Sequence, residues 1–425
     1  MGIAVLRILS VAILARLLNP EDFGLVQGAT IVTSFLEVFS MLGVAPALVQ
    51  FKKLTKDHIS TAFTFSIAFG CLLSLLLWFS ADYIESFFQF DNLSEVLKTL
   101  VLIFPINSIS VVSQNLLYRK LDYQKIAKAD IFGFTGYAVT GVILALLGWE
   151  YWALVFGHYA SSIIKSILLF IFQPHSIRPS IHHSAFFELF HFGSGITLSS
   201  FFNYIAMKGD YLIIGRFLGA SALGIYGRSY NLMASSVSLF GSVLDKVLFA
   251  AMARKQDDTE KLEIAFKRSV SIVGFTVLPV STFTILIAPE IIMSFLGTEW
   301  EEAIIPFQVL ASTMVFRIGY KMNGALARAK GLVFKLAGRQ AFYAAAILVG
   351  TLVGQRYGLV GASIGVALAF LAHYCYMTKL SLRILPDLTW FSIFKLYQPA
   401  LIISFFTTTL SFLLVKGLRG FALPE

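Results

Sequence analysis

Apolar runs of roughly 18 to 25 residues recur along the whole chain, separated by short polar segments. An α-helix needs about 20 such residues to cross the hydrocarbon core of a bilayer. The pattern therefore predicts membrane-spanning helices at residues 1–18, 24–47, 60–80, 96–117, 129–148, 151–173, 190–218, 222–248, 267–288, 303–327, 334–354, 357–378 and 396–415. We number these thirteen predicted spans in chain order.

The composition agrees with an all-α polytopic membrane protein. Hydrophobic residues make up 57% of the chain and charged residues only 13%, whereas soluble domains are about one quarter charged. The sequence shows no catalytic triad, phosphate-binding glycine loop or metal-ligand spacing, and its polar connections are too short for a catalytic domain. We therefore expect a transporter, not an enzyme, with no metal. Cys71 and Cys375 lie in apolar segments, and we expect buried free thiols.

The basic residues predict the orientation in the membrane. One alternate set of loops holds 20 of the 33 Lys and Arg residues, and the opposite set, up to the connection between the eleventh and twelfth spans, holds Arg356 alone. Basic loops stay in the cytoplasm. We expect a multi-pass protein of the bacterial cytoplasmic (inner) membrane with a cytoplasmic N-terminus, and the net charge of +9 gives no reason to expect a nucleic-acid partner.

Two halves of the chain resemble each other. The segment Ile13-Leu14-Ala15-Arg16-Leu17-Leu18, followed by Gly24-Leu25, aligns with Ile213-Ile214-Gly215-Arg216-Phe217-Leu218, followed by Gly224-Ile225. Further on, Asn115 aligns with Asn323, and Gly148-x-x-Tyr151 aligns with Gly354-x-x-Tyr357. Three matches in one order, at offsets of 200, 208 and 206, indicate a duplication.

The duplication predicts the domain organisation. Six spans per copy return the chain to the same side, so the copies are parallel and related by an axis along the membrane normal. The expected domains are an N-terminal lobe at 1–173, a cytoplasmic linker at 174–189, a C-terminal lobe at 190–380 and an additional helix within 381–425. We also expect the first span to be short at its inner end, because the repeat matches the start of the seventh span to a position about ten residues before Met1.

Charged side chains inside the spans are the candidate site residues, since each costs about 2.5–3.5 kcal/mol at mid-bilayer on insertion scales. In the tenth span Thr313, Arg317, Lys321, Gly324 and Arg328 follow helical spacing and form a cationic stripe. Arg317 and Lys321 are like charges four residues apart and repel each other. A structural role does not explain such a pair, so we expect it to bind an anion.

Two other spans have polar faces. The face of the eighth consists of Arg228, Asn231, Ser235, Ser238, Ser242 and Asp245. That of the seventh consists of Ser199, Asn203 and Asp210, with Lys208 about 160° away. Arg7 lies deep in the first span and Glu37 near the middle of the second. By the repeat, Arg228, Arg317 and Lys321 correspond to Gly28, Ile109 and Ser113, so most of the basic lining belongs to the second copy.

The acids have two alternative roles. Asp210 and Glu37 either neutralise cations such as Arg228 and Arg7, or bind a coupling proton or sodium ion. Arg16 and Arg216 lie close to the outer interface, where a long side chain extends to water.

The segment Leu14-Ala15-Arg16-Leu17-Leu18-Asn19-Pro20-Glu21-Asp22-Phe23-Gly24-Leu25 and its second copy around Asp210–Tyr226 resemble the polysaccharide-transporter branch of the multidrug/oligosaccharidyl-lipid/polysaccharide exporter superfamily. The resemblance is to Wzx-type flippases of the colanic acid and teichuronic acid exporters, and it extends over essentially the whole chain.

The resemblance implies a two-lobed flippase of twelve or fourteen helices, so thirteen predicted spans and a short first helix lead us to expect a chain that is shortened at both ends. Such a flippase moves an undecaprenyl-pyrophosphate-linked oligosaccharide across the cytoplasmic membrane by alternating access, for the synthesis of lipopolysaccharide, exopolysaccharide or capsule. Its partners would be that substrate, membrane lipids and polysaccharide polymerase or assembly proteins. The residues expected to bind the substrate are Arg7, Lys208, Arg228, Arg317, Lys321, Asn203 and Asn231.

Three other functions remain open. A cation-coupled multidrug exporter of the same superfamily would need an acidic or aromatic pocket, and a polytopic oligosaccharide polymerase or ligase would need a larger outer loop. A scaffold of a polysaccharide-assembly complex is the third.

Overall fold

The computed structural model describes residues 2–40, 47–49, 51, 54–254 and 258–421. Within these residues the regular elements are helices, and no strand is present. We number the α-helices α1 Gly2–Leu17, α2 Pro20–Ser40, α3 Lys56–Phe88, α4 Leu93–Leu100, α5 Ile103–Arg119, α6 Tyr123–Leu146, α7 Glu150–Phe172, α8 His183–Ala253, α9 Thr259–Leu286, α10 Ala288–Phe295, α11 Ile304–Ser312, α12 Met314–Ala329, α13 Val333–Gly354, α14 Gly358–Ile384 and α15 Trp390–Phe421. Short 3-10 helices occupy Thr298–Ala303 and Gln355–Tyr357.

The polytopic all-α prediction is confirmed. Eight stretches of the described helices are long and apolar enough to cross a membrane: Lys56–Phe88, Leu93–Arg119, Tyr123–Leu146, Glu150–Phe172, Thr259–Leu286, Thr298–Ala329, Lys335–Ile384 and Trp390–Leu410. The stretch Lys335–Ile384 contains two predicted spans, the eleventh and the twelfth. The first, second, seventh and eighth predicted spans coincide with α1, α2 and the two parts of α8, although residues 41–46 of the second lie outside the described residues.

Helix α8 is two helices joined at Gly219. The 71-residue helix contains one non-helical residue, Gly219, with φ 90° and ψ 178°. A residue with a Cβ atom adopts that conformation only with strain. The break coincides with the predicted boundary between the seventh and eighth spans.

The chain divides into two compact units, unit 1 at Met1–Gly224 and unit 2 at Ile225–Glu425. Unit 1 contains α1 to α7 and the first part of α8, around a core that includes the buried side chains of Leu14, Phe23 and Leu97. Unit 2 contains the rest of α8 and α9 to α15, with Tyr226, Trp300 and Phe307 buried in its core. The predicted boundaries of the duplicated copies remain a prediction.

The fourth and tenth predicted spans are each broken into two helices. In unit 1 the break lies at Val101 and Leu102, between α4 and α5, and the hydroxyl of Ser74 donates to the carbonyl oxygen of Val101 at 2.6 Å. In unit 2 the break lies at Thr313, between α11 and α12, and the hydroxyl of Ser281 donates to the carbonyl oxygen of Ala311 at 2.8 Å. A broken helix leaves carbonyls without helical partners, and side chains of a neighbouring helix satisfy them in lipid.

The surface of the spans is apolar. Phe79 and Phe405 are 74% and 69% exposed, which is expected where lipid is the solvent. Cys71 and Cys375 are free, as predicted, but the prediction that both are buried is wrong, because both are exposed. An apolar segment of a membrane helix places thiols on a lipid-facing side as readily as in the core.

Candidate functional site

The guanidinium group of Arg317 is held by three side chains of unit 2. Its Nη2 donates to the hydroxyl of Tyr230 at 3.0 Å, and its Nη1 lies 3.2 Å from the sulfur of Met233. The ring centroids of Phe370 and Tyr230 lie 4.6 and 4.8 Å from its Cζ atom. Arg317 is therefore bound through hydrogen bonding and cation–π contacts by the second part of α8 and by α14.

None of these groups carries a negative charge. Arg317 is half-buried within α12, and no ion pair among the described residues includes it. A guanidinium is charged at every physiological pH and has five N–H donors. It can therefore bind an anion with donors that the aromatic and thioether partners leave unused.

Further aromatic side chains extend this cluster. The rings of Tyr343 and Phe370 lie 5.5 Å apart, and His373 lies 4.7 Å from Tyr343 and 4.8 Å from Tyr320. His373 is 1% exposed, and its Nδ1 atom has no hydrogen-bond partner among the described residues. We call Arg317, Tyr230, Met233, Phe370, Tyr320, Tyr343 and His373 the arginine cluster.

The predicted cationic stripe lies along α12. Thr313 is buried just before the helix begins, Arg317 and Lys321 are half-buried, and Arg328 is exposed near the end of the helix. The charges thus become more exposed toward the end of α12 that carries a basic loop. The helix agrees with the spacing, and the anion-binding role of the stripe stays a prediction.

The predicted polar residues of the eighth span flank the contact to Arg317 without making it. Arg228 is half-buried and Asn231 is exposed. The backbone carbonyl oxygen of Asn231 accepts a hydrogen bond from the hydroxyl of Ser235 at 2.8 Å. Tyr230, between them, binds Arg317. The side chains of the other members of this face, Ser238, Ser242 and Asp245, lie outside the described residues.

Glu37 has an amide partner in unit 1. The side-chain Nδ2 of Asn107, in α5, donates to Oε1 of Glu37 at 3.0 Å. Near them, the hydroxyl of Tyr204 donates to the carbonyl oxygen of Ile31 at 2.5 Å. The carboxyl group of Glu37 in α2 is thus bound by an amide of α5 and lies near a hydroxyl of α8.

Asp210 and Lys208 both contact Tyr211. Asp210 is 2% exposed, and its Oδ1 accepts the backbone N–H of Tyr211 at 3.0 Å. The ammonium group of Lys208 lies 4.3 Å from the centroid of the Tyr211 ring. A residue missing from the sequence prediction, Tyr211, thus links two residues that were predicted to point apart.

The other predicted residues of unit 1 are more exposed. Asn203 is exposed and donates to the sulfur of Met207 at 3.6 Å, and the side chain of Ser199 lies outside the described residues. Arg7 is exposed, with its guanidinium 5.5 Å from the ring centroid of Phe134 in α6. Arg7 thus contacts α6, whereas Glu37 is bound by Asn107 of α5.

The sequence prediction missed Asn107, Tyr230, Tyr211 and His373. For Tyr211 and Tyr230 the available signal was an aromatic side chain inside an apolar span, within two residues of a charge. For Asn107 and His373 it was only a polar side chain inside an apolar span. Tyr230 lies two residues after Arg228, and Asn107 lies eight residues before Asn115. Aromatic residues give a weak signal because they are also common in membrane helices.

A small polar cavity of about 290 Å³ lies at the acidic end of unit 1. Its walls include Glu21, Asp22, Asp91 and Glu150. Asp22 is 7% exposed. Burial raises the pKa of its carboxyl, the backbone N–H of Asn19 opposes that rise, and the charge of Glu150 adds to it. Among the described residues, no group of three or more His, Cys, Asp or Glu side chains is placed to hold a metal ion.

The chain matches the family model described as "Polysaccharide biosynthesis protein" over residues 13–305. It is 25% identical over 370 residues to the lipopolysaccharide biosynthesis protein WzxC of Escherichia coli (strain K12), covering 85% of this chain and 74% of the relative. It is 27% identical to the teichuronic acid biosynthesis protein TuaB of Bacillus subtilis (strain 168) over 342 residues, covering 78% and 69%.

Solved structures share the fold at low identity. The lipid II flippase MurJ in an inward closed conformation aligns with a TM-score of 0.74 at 13% identity, covering 98% of this chain and 96% of that one. An inward-facing multidrug resistance transporter of the MATE family aligns with a TM-score of 0.69 at 17% identity, covering 91% and 96%. At these identities the likeness concerns the fold alone.

Proposed function

Since the chain belongs to the polysaccharide biosynthesis protein family, we propose that it is a flippase that translocates an undecaprenyl-pyrophosphate-linked oligosaccharide across the cytoplasmic membrane by alternating access. The family membership confirms the resemblance carried by the motif around Gly24. The names of the relatives, biosynthesis proteins for lipopolysaccharide and teichuronic acid, support the same class of substrate.

The observation that carries the proposal is the charge of Arg317. An arginine inside a membrane span, bound by Tyr230, Met233 and Phe370 and by no carboxylate of the described residues, leaves a net positive charge in a low-dielectric surrounding. Such a charge favours an anion, and a diphosphate offers oxygens that accept its remaining N–H donors. Lys321, one helical turn away, adds a second cation.

The remaining predicted residues of unit 2 have parts in the same mechanism. In unit 2, Arg228 would supply a further cation to the diphosphate, and Asn231, which is exposed, would donate and accept hydrogen bonds with sugar hydroxyls. The substrate-binding roles of Arg7, Lys208 and Asn203 in unit 1 stay predictions from the sequence. The polyprenyl chain would stay in the bilayer, so that the protein binds only the head group.

Glu37 and Asp210 are the proposed ion-coupling residues. A carboxyl group inside a span changes its affinity for a proton or sodium ion when its surroundings change. The hydrogen bond from Asn107 to Glu37 is one contact that a conformational change would alter. Transport driven by a proton or sodium gradient, and abolished in Glu37→Gln or Asp210→Asn, is the expected result. Equal rates in liposomes with and without both gradients would contradict the coupling.

Transport by the purified protein tests the flippase directly. Liposomes would contain a fluorescent short oligosaccharide on undecaprenyl pyrophosphate, and its appearance in the opposite leaflet would be followed by a membrane-impermeant quencher. We expect Arg317→Ala to lose most activity and Arg317→Lys to retain part, because lysine keeps the charge but loses the planar fork.

Arg356→Ala is the matched control, because Arg356 is exposed and lies in a connection between predicted spans. Wild-type transport by Arg317→Ala would contradict the role of the arginine. Lengthening of the oligosaccharide by the wild-type protein would identify a polymerase, and gradient-driven export of a cationic dye in preference to the lipid would identify a multidrug exporter.

A further inference from the structure

An apolar groove of about 680 Å³ lies on the surface of unit 1, beside the break in the fourth predicted span. We call it the outer groove, because it lies toward the acidic connections that the loop charges place outside. Its walls include Leu75 and Trp78 of α3, Leu102 at the break, and Phe156 and Tyr159 of α7. Leu75 and Leu102 are 57% and 59% exposed, so the groove opens to the surroundings of the protein.

Hydrocarbon fits this groove better than water does. A water molecule occupies about 30 Å³ of liquid, so water would need to fill the space with about twenty molecules. The polar groups at its inner wall are already engaged, since the hydroxyl of Ser74 donates to Val101 and that of Tyr159 donates to the carbonyl oxygen of Thr99. Water in such a site would lack partners, whereas an acyl chain needs none.

An ion pair stands at the rim of the groove. Nζ of Lys98, one of the lining residues, lies 2.7 Å from Oδ1 of Asp82. The hydroxyl of Ser94 donates to the same oxygen atom. The side chain of Asp82 is 71% exposed and that of Lys98 is 30% exposed, so both charges remain accessible from outside the protein.

Aromatic residues place this ion pair at the depth of lipid head groups. Trp78 is 49% exposed and lies four residues before Asp82 on α3, which is about 6 Å along the helix. Tyr83, next to Asp82, is 80% exposed. Exposed Trp and Tyr side chains collect at the membrane–water interface. The ion pair is thus at the interface, and the groove continues from it toward the acyl chains.

We propose that the outer groove binds a zwitterionic phospholipid, with an acyl chain in the groove, its phosphate on Lys98 and its ammonium group on Asp82. Opposite charges at the rim match a head group that carries both signs. A purely anionic head group would meet the carboxylate of Asp82 as well as the ammonium of Lys98, and would be bound less well. The proposal does not depend on transport activity and concerns a lipid that is not transported.

Tryptophan quenching tests the proposal on the full-length protein. The protein would be placed in phosphatidylglycerol vesicles that contain a small fraction of dibrominated phosphatidylethanolamine, and in phosphatidylethanolamine-free vesicles with dibrominated phosphatidylglycerol. Bromine quenches an adjacent indole, and subtraction of the Trp78→Phe variant isolates Trp78 from the other four tryptophans. We expect the brominated phosphatidylethanolamine to quench Trp78 at a mole fraction about two- to fivefold lower than the one at which brominated phosphatidylglycerol gives the same quenching.

Substitution of the ion pair should abolish this preference. In the Asp82→Ala, Lys98→Ala double variant the two lipids should quench Trp78 equally. The matched control is the Asp130→Ala, Lys165→Ala double variant, which removes an ion pair of 2.8 Å with 39% and 35% exposed side chains elsewhere in unit 1. That control should keep the preference for phosphatidylethanolamine.

Three results would overturn the proposal. Equal quenching in the wild type would mean that the groove holds boundary lipid of any kind, and a preference that survives in the Asp82→Ala, Lys98→Ala variant would remove the ion pair from recognition. Displacement of the brominated phosphatidylethanolamine by an equimolar polyprenyl phosphate would assign the groove to an isoprenoid chain. Native mass spectrometry should agree, with phosphatidylethanolamine retained by the wild type and lost from the double variant.

Discussion

Gly24 and Gly224 lie against each other's helices in a reciprocal contact within unit 1. A methyl group on Gly24 would overlap the carbonyl oxygen of Ala220, and a methyl group on Gly224 would overlap that of Pro20. The internal repeat aligns Gly24 with Gly224, and the same offset of 200 relates Pro20 to Ala220. The most specific motif of the sequence is therefore a close helix contact made twice, once by each copy, as small residues at membrane helix interfaces allow.

Replacement of either glycine by alanine should destabilise the protein. Because the clashing atoms belong to backbone, they cannot move aside, and overpacking of this kind costs about 1–3 kcal/mol or more. We expect Gly24→Ala and Gly224→Ala to lower the thermal midpoint in detergent. Gly338→Ala is the control, because nothing lies within 4 Å of its added methyl group. Similar midpoints for all three variants would show that the contact does not stabilise the fold.

The serine contacts at the two broken spans lead to a second prediction. Removing the hydroxyl in Ser74→Ala or Ser281→Ala leaves the carbonyl of Val101 or Ala311 without that donor, at a cost of about 1–3 kcal/mol for a buried group. Ser86→Ala is the control, because Ser86 is exposed and donates to the backbone carbonyl of Asp82 within its own helix. Thermal unfolding followed by circular dichroism should show Ser86→Ala to be as stable as wild type and the other two variants to be less stable. Equal losses of thermal stability in all three variants would show that the serine contacts at the breaks contribute no more than an exposed serine does.

The spans and the repeat could be predicted from sequence because hydrophobic length and motif spacing are local properties. The residue-by-residue alignment of the two copies in their later helices could not be predicted from sequence. The turns that follow α5 and α12 have matching hydrogen bonds, Asp122 N–H to the Leu117 carbonyl at 3.0 Å and Leu332 N–H to the Ala327 carbonyl at 2.9 Å, which gives an offset of 210. The carbonyl acceptors of the two serine contacts, Val101 and Ala311, are also 210 residues apart, whereas their donors, Ser74 and Ser281, are 207 apart.

The offset of 210 changes the counterpart of Arg317. The sequence alignment paired it with Ile109, whereas the hydrogen bonds pair it with Asn107, the partner of Glu37. Asparagine and arginine are dissimilar, so a single sequence gives no signal that Asn107 and Arg317 correspond to each other. The cationic stripe, in contrast, could be predicted because it depends only on the period of one helix.

The orientation of the chain can be tested with single cysteines. After Cys71 and Cys375 are replaced by alanine, Tyr123→Cys and Tyr357→Cys place thiols at positions that are 58% and 80% exposed, in a basic loop and beside an outer connection. If basic loops face the cytoplasm, an impermeant maleimide added to intact cells should label only Tyr357→Cys. Permeabilised cells should show labelling of both, and the reverse pattern in intact cells would invert the topology.

The pKa of Asp22 gives a prediction with a definite sign. Burial raises the pKa of this carboxyl above its ordinary value, so the folded state binds a proton more tightly than the unfolded state does. The ionised carboxylate therefore destabilises the fold at neutral pH, and this effect is relieved as the pH falls through the raised pKa. We expect Asp22→Asn to have a higher thermal midpoint than wild type at pH 7.5, with a difference that shrinks toward pH 4. A variant that is less stable than wild type at pH 7.5 would contradict this.

Tyr230 should act on transport by positioning Arg317. Its hydroxyl accepts a hydrogen bond from the guanidinium at 3.0 Å, and its ring also lies under the charge. Tyr230→Phe keeps the ring and removes the hydroxyl, so we expect the rate of lipid-linked oligosaccharide transport to fall about tenfold, in line with a hydrogen bond to a charged group, and less than in Arg317→Ala.

The matched control for this substitution is Tyr376→Phe. The ring of Tyr376 lies 4.5 Å from the guanidinium carbon of Arg339, and the described residues show no hydrogen bond from its hydroxyl. The same chemical change beside a second arginine should therefore leave transport at the wild-type rate. Because a positioning residue has no role once its arginine is gone, Tyr230→Phe should have no further effect in the Arg317→Ala background. An additive loss in that double variant would mean that Tyr230 acts on the substrate independently of Arg317.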